Sequence, residues 1–325
     1  DKNTVVRLRD ARVKMLREMG VAPSFIADRA VAKRLFGEYP YGRNVAGATE
    51  TLASIERADL MLARERFLTP DNATMVITGG VAENRALRTL RQLLGAWRKS
   101  DKRVPSTFRQ PEVPDARTLL IDMPGVENVE VRLATRTMPR ADKDLAATML
   151  LALLARDRWQ AAFPELNRSA TFVRHEPHLM TGMFVMGASV RTTEAAHALE
   201  SARHVLRALA ESQATAAEFE RVRNEAIAVL NKAQDEPNML SEMWLDAESY
   251  RLGANADQAR AIAKLTPADL QRVAARLFRE AAFASIAVGS AAQVKADLER
   301  TGKVEVLGEA PTPKTSTVAP PAKSP

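Results

Sequence analysis

The 325-residue chain contains no cysteine, only four histidines, and aromatic residues at 5%. Without Cys it can form no disulfide scaffold, thiolate zinc site, iron–sulfur cluster or cysteine nucleophile. That leaves the redox compartment open. No apolar run approaches the ~18 residues of a membrane span, which excludes a membrane-spanning helix. A phosphate-binding loop is missing too, because Gly79-Gly80 lacks both a third Gly and a following Lys-Ser/Thr. No Gly-x-Ser-x-Gly elbow occurs, which argues against an α/β-type serine hydrolase. The net charge is +7, from 47 basic and 40 acidic side chains. Residues 1–45 hold ten of the basic residues and five of the acidic ones, with helical periodicity. No stretch interleaves them with stacking rings, so this reads as a solvated basic helix face and not as a nucleic-acid surface.

What is present is enough for two packed domains, with 46% hydrophobic residues over this length. The pattern predicts helices over Val5–Met19, Phe25–Phe36, Leu52–Phe67 and Glu83–Leu94, and a strand over Ala73–Thr78 stopped by Gly79-Gly80. Pro105, Pro111 and Pro114 mark a linker over 102–115. Beyond it, strands are expected at Thr118–Asp122, Val129–Thr137, Met183–Val190 and Ala284–Val288. Helices are expected at Asp142–Arg156 and Thr193–Glu211. Two more begin at the Thr215-x-x-Glu218 capping box and at Thr266-Pro267. The Pro/Ala/Ser/Thr/Lys-rich end lacks the apolar residues needed to offset ordering entropy, so 301–325 is expected to be a disordered tail.

An internal repeat organises these elements. At a shift of 210, Ala58, Asp59, Leu60, Arg66, Gly79 and Ala82 fall on Ala268, Asp269, Leu270, Arg276, Gly289 and Ala292. Upstream the shift becomes 214, and Arg7, Arg9, Leu16 and Pro23 fall on Arg221, Arg223, Leu230 and Pro237. The change is absorbed at the Tyr39–Thr51 loop. On this register the second copy begins near Thr118, so the first is expected to be incomplete, lacking roughly a hundred residues. The opening Asp1-Lys2-Asn3-Thr4, without an initiator Met, is expected of a processed product or a fragment. The resulting expectation is an α+β protein with two homologous domains. These are residues 1–101, the C-terminal part of the first, and 116–300, the second, each with a mixed or antiparallel sheet covered by helices.

All four His lie between 175 and 204. His175-Glu176-Pro177-His178 resembles a ligand pair, but Pro177 breaks any helix and an exposed loop is expected there. His197-Ala198-Leu199-Glu200 matches the first four residues of His-x-x-Glu-His, yet position five is Ser201. The next His, His204, is about 10 Å further along a helix, too far to share one ion. No metal ligands are therefore assigned in this chain.

The segment Tyr39-Pro40-Tyr41-Gly42-Arg43, with Ser54-Ile55, Ala58-Asp59-Leu60, Phe67, Pro70-Asp71-Asn72-Ala73 and Gly79, resembles the insulinase/pitrilysin zinc metallopeptidases, which include the mitochondrial processing peptidases. The resemblance spans about 5–300 and is specific over 36–82; Gly80 replaces the family's Asp before Val81. It implies two homologous α/β domains, in agreement with the repeat. The family's His-x-x-Glu-His lies upstream of Asp1 in this register. Its third zinc ligand, a Glu, falls on Val5-Val6-Arg7-Leu8-Arg9-Asp10, which has no Glu. An Arg and a Tyr seven apart, which steady the substrate carbonyl in the family, fall near Glu165 and Phe172, with Arg168 the only cation at hand.

The resemblance thus implies a non-catalytic subunit or fragment of an insulinase-like metallopeptidase, with Glu165, Arg168 and Phe172 as the substrate-binding candidates. It would pair with a homologous zinc-bearing peptidase subunit, assist peptide binding and chamber closure, and carry no zinc itself. An active zinc endopeptidase with its motif outside this chain, and a purely structural assembly subunit, are the alternatives. A periplasmic location is expected, with the cytoplasm as the alternative. No nucleic-acid partner is expected.

Overall fold

The computed structural model describes residues 1–100, 108–164 and 168–308. It opens with five helices: α1 (Lys2–Met19), α2 (Pro23–Phe36), α3 (Thr49–Ala53), α4 (Arg57–Phe67) and α5 (Glu83–Leu94). There follow β1 (Thr118–Asp122), β2 (Asn128–Thr137), α6 (Leu145–Ala162), β3 (Thr171–Glu176), β4 (Gly182–Arg191), α7 (Ala195–Glu211), α8 (Ala216–Asp235), α9 (Pro237–Ser249) and α10 (Gln258–Ala263). The last elements are α11 (Pro267–Phe278), β5 (Ala284–Gly289), α12 (Ala291–Thr301) and β6 (Val304–Leu307).

The six strands form one mixed sheet in the order β3-β4-β2-β5-β1-β6. β3, β4, β2 and β5 pair antiparallel, and β1 lies parallel between β5 and β6. Strand alternation divides the apolar residues between two cores. Val129, Val131 and Leu133 of β2 face α6, α7 and α11 and pack with Leu150, Trp159, Leu206 and Val273. Within that core Trp159 Nε1 donates to Ser201 Oγ at 3.0 Å, satisfying the one polar atom of a fully buried ring. Ala134, Val185, Ile286 and Val288 point to the opposite face, where Ala27, Val31, Leu35 and Phe36 of α2 cover them. Pro23 stands in the first turn of α2, and Gly37, at φ +58°, ends it in a conformation that disfavours other residues.

The repeat recurs in the order of elements. Pro23 and Pro237 open α2 and α9, 214 positions apart, and α4 precedes α11 by 210 at their starts. The α+β class and the sheet-with-helices architecture match the expectation from sequence.

Four local expectations are corrected. The predicted strand at 73–78 is no strand, because a ladder needs a neighbour and among the described residues none lies beside it. The helix predicted over Leu52–Phe67 is two helices, since Ser54 ends α3 and a Glu56–Asp59 capping box starts α4 anew. His175 and Glu176, expected in an exposed loop, end strand β3, opposite Phe184 and Met183 of β4. At the start of the expected tail, Val304–Leu307 forms β6 beside β1, joined through the backbone of an apolar-polar alternation. Residues 309–325 of that tail and 101–107 of the linker lie outside the described residues.

Candidate functional site

Phe172 provides the anchor for the site. It lies on β3, the strand that ends the sheet on one side and, among the described residues, pairs with β4 alone. The pleat turns Phe172 and Arg174 towards the α2 face, and Arg132 reaches the same place from β2. The Phe172 ring is held between two guanidinium groups, Arg132 at 4.9 Å and Arg174 at 4.1 Å from its centroid. Both distances are within cation–π range.

Three carboxylates neutralise these cations. Arg132 is only 2% exposed, and a buried charge at that depth must be paired. Its Nε donates to Asp28 Oδ1 of α2 at 2.6 Å, and its Nη1 donates to Glu130 Oε2 at 2.9 Å and to the Val131 carbonyl at 2.9 Å. Arg174 pairs with Glu176 at 3.2 Å and reaches Asp28 at 3.8 Å. Asp28 therefore ties α2 to both arginines. The patch is half-open, since Asp28 and Arg174 are both exposed in part.

A second group of residues fixes the other end of the same face. Pro40–Gly42 forms a 3-10 turn after α2. There the Tyr41 ring packs on His178 at 4.4 Å, and its hydroxyl accepts the Met180 N–H at 3.1 Å. A Cβ on Gly42 would collide with the Gly37 carbonyl, so this turn of the motif admits no side chain there. The Tyr-Pro-Tyr-Gly segment thus clamps the end of α2 to the β3–β4 turn. Beside it, His175 Nε2 lies 3.0 Å from Thr137 Oγ1, and burial pushes the His175 pKa down to about 4, helped by the nearby Arg140 charge.

The three sequence-predicted residues fare differently. Phe172 is at the centre of the arginine–carboxylate cluster. Arg168 is exposed in the 3-10 turn that leads into β3. Glu165 lies outside the described residues. Sequence reasoning missed Arg132, Arg174 and Asp28. Alternation in β2 already placed Arg132 opposite the Val131 face, but its partner Asp28 lies 104 positions away on another element.

The histidines do not gather. His175 and His178 flank Pro177 at the end of β3, whereas His197, its ring 4.5 Å from Phe163, and His204 are on the outer face of α7. Among the described residues no group of three or more His, Asp or Glu is placed to hold a metal ion. A catalytic zinc needs three such ligands in one geometry, so these residues do not fit one.

The fold has close structural relatives. A protease from Helicobacter pylori superposes with a TM-score of 0.81 at 17% identity, covering 89% of this chain and 72% of that one. The peptidase M16 inactive domain from Pseudomonas fluorescens gives 0.78 at 15% identity, over 89% and 71%. The first half of the periplasmic protease PqqL from Escherichia coli gives 0.67 at 14%, over 95% and 72%. No curated protein sequence matches the chain. Residues 54–226 match the family described as the peptidase M16 inactive domain, and the chain belongs to that family.

Proposed function

We propose that this chain is a non-catalytic M16 subunit that helps a homologous zinc-bearing peptidase hold extended peptide and close its chamber. The observation that carries this reading is the state of position 172. Where the family resemblance calls for a hydroxyl that steadies a substrate carbonyl, Phe172 has none, and two guanidinium groups enclose its ring. The lack of a three-ligand set for zinc among the described residues supports placing the zinc on the partner in this reading.

What remains useful for peptide is the backbone of β3. It ends the sheet, and an extended peptide can add to such an edge by main-chain hydrogen bonds. Arg174 and Glu176, alternating with Val173 and His175, would then face successive peptide side chains. A periplasmic location is part of the proposal, supported by the likeness of the fold to the periplasmic protease PqqL from Escherichia coli.

The test combines the purified chain with the His-x-x-Glu-His-bearing M16 peptidase of the same source and follows cleavage of a quenched fluorescent peptide. The chain alone should give no chelator-sensitive cleavage, and its addition should raise the partner's rate severalfold. Stoichiometric zinc and cleavage by the chain alone would establish the active-enzyme alternative. No effect on any such partner would favour a structural role.

A further inference from the structure

We infer that the flank of α7 turned away from α6 binds a small dianionic oxyanion of the phosphate type, with Arg203 and Arg207 as its ligands. The inference goes beyond the peptidase reading and does not depend on it.

It starts from a guanidinium with too few acceptors. Every other buried or partly buried arginine among the described residues meets a carboxylate or a set of backbone carbonyls. Arg132 has Asp28 and Glu130, Arg34 has Glu305, and Arg156 has Glu225. Arg136, which pairs with no carboxylate, donates instead to the carbonyls of Leu35, Pro111 and Glu112. Arg203 is the exception. It donates to Ser285 Oγ at 2.5 Å, and among the described residues no carboxylate lies within ion-pair distance of it. A neutral hydroxyl leaves the charge uncompensated.

The position of the group follows from α7 and β5. Ser201 turns to Trp159 of α6, and Arg203, two residues on, turns to the opposite flank of the helix. There it meets the start of β5. Ser285 is fully buried and points with Ala287 to the helix-covered face of the sheet. The guanidinium is not sealed in. None of its atoms is both buried and without a partner, so the N–H groups that Ser285 does not take reach solvent.

A second cation stands beside it. Arg207 follows Arg203 by four residues, which puts their Cβ atoms about 6 Å apart on one flank. It is exposed and, among the described residues, also has no carboxylate at ion-pair distance. Burial, and after it the like charge of Arg207, holds the Arg203 pKa below its ordinary value. Glu200 lies on the same flank and offsets only part of this, forming an ion pair with neither arginine. Two guanidinium forks converging from one flank, anchored by Ser285, match an anion with several oxygens and two charges. A single carboxylate would leave one of the cations uncompensated.

Calorimetric titration of the 325-residue protein with phosphate, in chloride buffers of constant ionic strength, tests the site. One phosphate should bind per chain, sulfate should compete with it, and the Tm should rise with occupancy. Arg203→Gln should weaken binding roughly tenfold or more, and Arg207→Gln severalfold. Arg300→Gln, at the exposed basic end of α12, should leave it unchanged. Arg207 is exposed, so its variant keeps the test decisive even if Arg203→Gln does not fold. No saturable phosphate binding, tighter binding of acetate than of phosphate, equal loss in Arg300→Gln, or indifference of binding to Arg207→Gln would overturn the assignment.

Discussion

Gly187 of β4 lies directly beneath Phe172 of β3, and its lack of a side chain is what lets the ring settle between the two arginines. A Cβ at position 187 would lie 2.6 Å from the ring's Cε1 and 2.8 Å from Arg132 Cδ. Both are far inside carbon–carbon contact. Gly187→Ala should therefore destabilise the protein by about 1–3 kcal/mol through overpacking. Phe172→Ala should remove most of that cost, so that the two substitutions are strongly non-additive in a denaturant-melt cycle. Additive losses would show that the ring does not rest on Gly187.

The carboxylate of Asp144, 4% exposed, is shared by two arginines of α11. Arg272 Nη2 donates at 2.8 Å and Arg276 Nη1 at 2.7 Å. Asp144→Ala should cost about 2 kcal/mol, because the loss of a charged hydrogen-bond acceptor is tempered by arginines that can rehydrate. Urea midpoints of Asp144→Ala and Asp144→Asn measure it. A loss below a few tenths of a kcal/mol for both would refute the pairing.

Glu218 is held down to about 2, first by its hydrogen bonds with Arg158 and then by the Thr215 backbone, against an opposing effect of burial. A carboxylate depressed in the folded state contributes stability above its unfolded pKa of ~4.3, and that contribution is lost as pH falls towards about 2. Between those values Glu218→Gln should flatten the fall in stability relative to the parent. Parallel curves for the two proteins would contradict it.

His175 has the opposite chemistry with the same direction in pH. Its folded pKa, about 4, lies below the ordinary value because burial disfavours the charged ring. Between ~6.5 and about 4 the unfolded chain takes up a proton that the folded chain refuses, so stability falls as pH drops, with a slope on the order of 1 kcal/mol per pH unit. His175→Gln should remove that slope and leave the acid-range loss from Glu218 in place. Histidine NMR titration of the folded protein checks the cause: a ring titrating near 6.5 would exclude it.

Leu35 of α2 is fully buried against the sheet, in the cluster with Ile121, Ala134 and Ile286. Leu35→Ala should cost about 2–5 kcal/mol, whereas Leu8→Ala on the exposed side of α1 should change stability by less than 0.5 kcal/mol. Similar losses at both positions would mean that α2 does not seal this core.

Much of the fold was legible because it is local. Periodicity located most helices and four of the six strands, the Thr215–Glu218 and Thr266–Asp269 boxes marked true helix starts, and the repeat predicted the matched order of α2 and α9. The local pattern at 73–78 also read as a strand, and there it misled, because strand formation depends on a neighbour that the segment itself does not supply. The amino-acid sequence by itself determined the α+β class, the duplication, the loop motif at Tyr39–Arg43 and the lack of a hydroxyl at position 172. Only the tertiary structure decided that α2 seals the sheet of the second copy and that Asp28 meets Arg132 across 104 positions. It also decided that β3 stands at an open edge. The reason is physical: burial and charge pairing are properties of residues brought together from distant parts of the chain, and periodicity carries no information about which faces will meet.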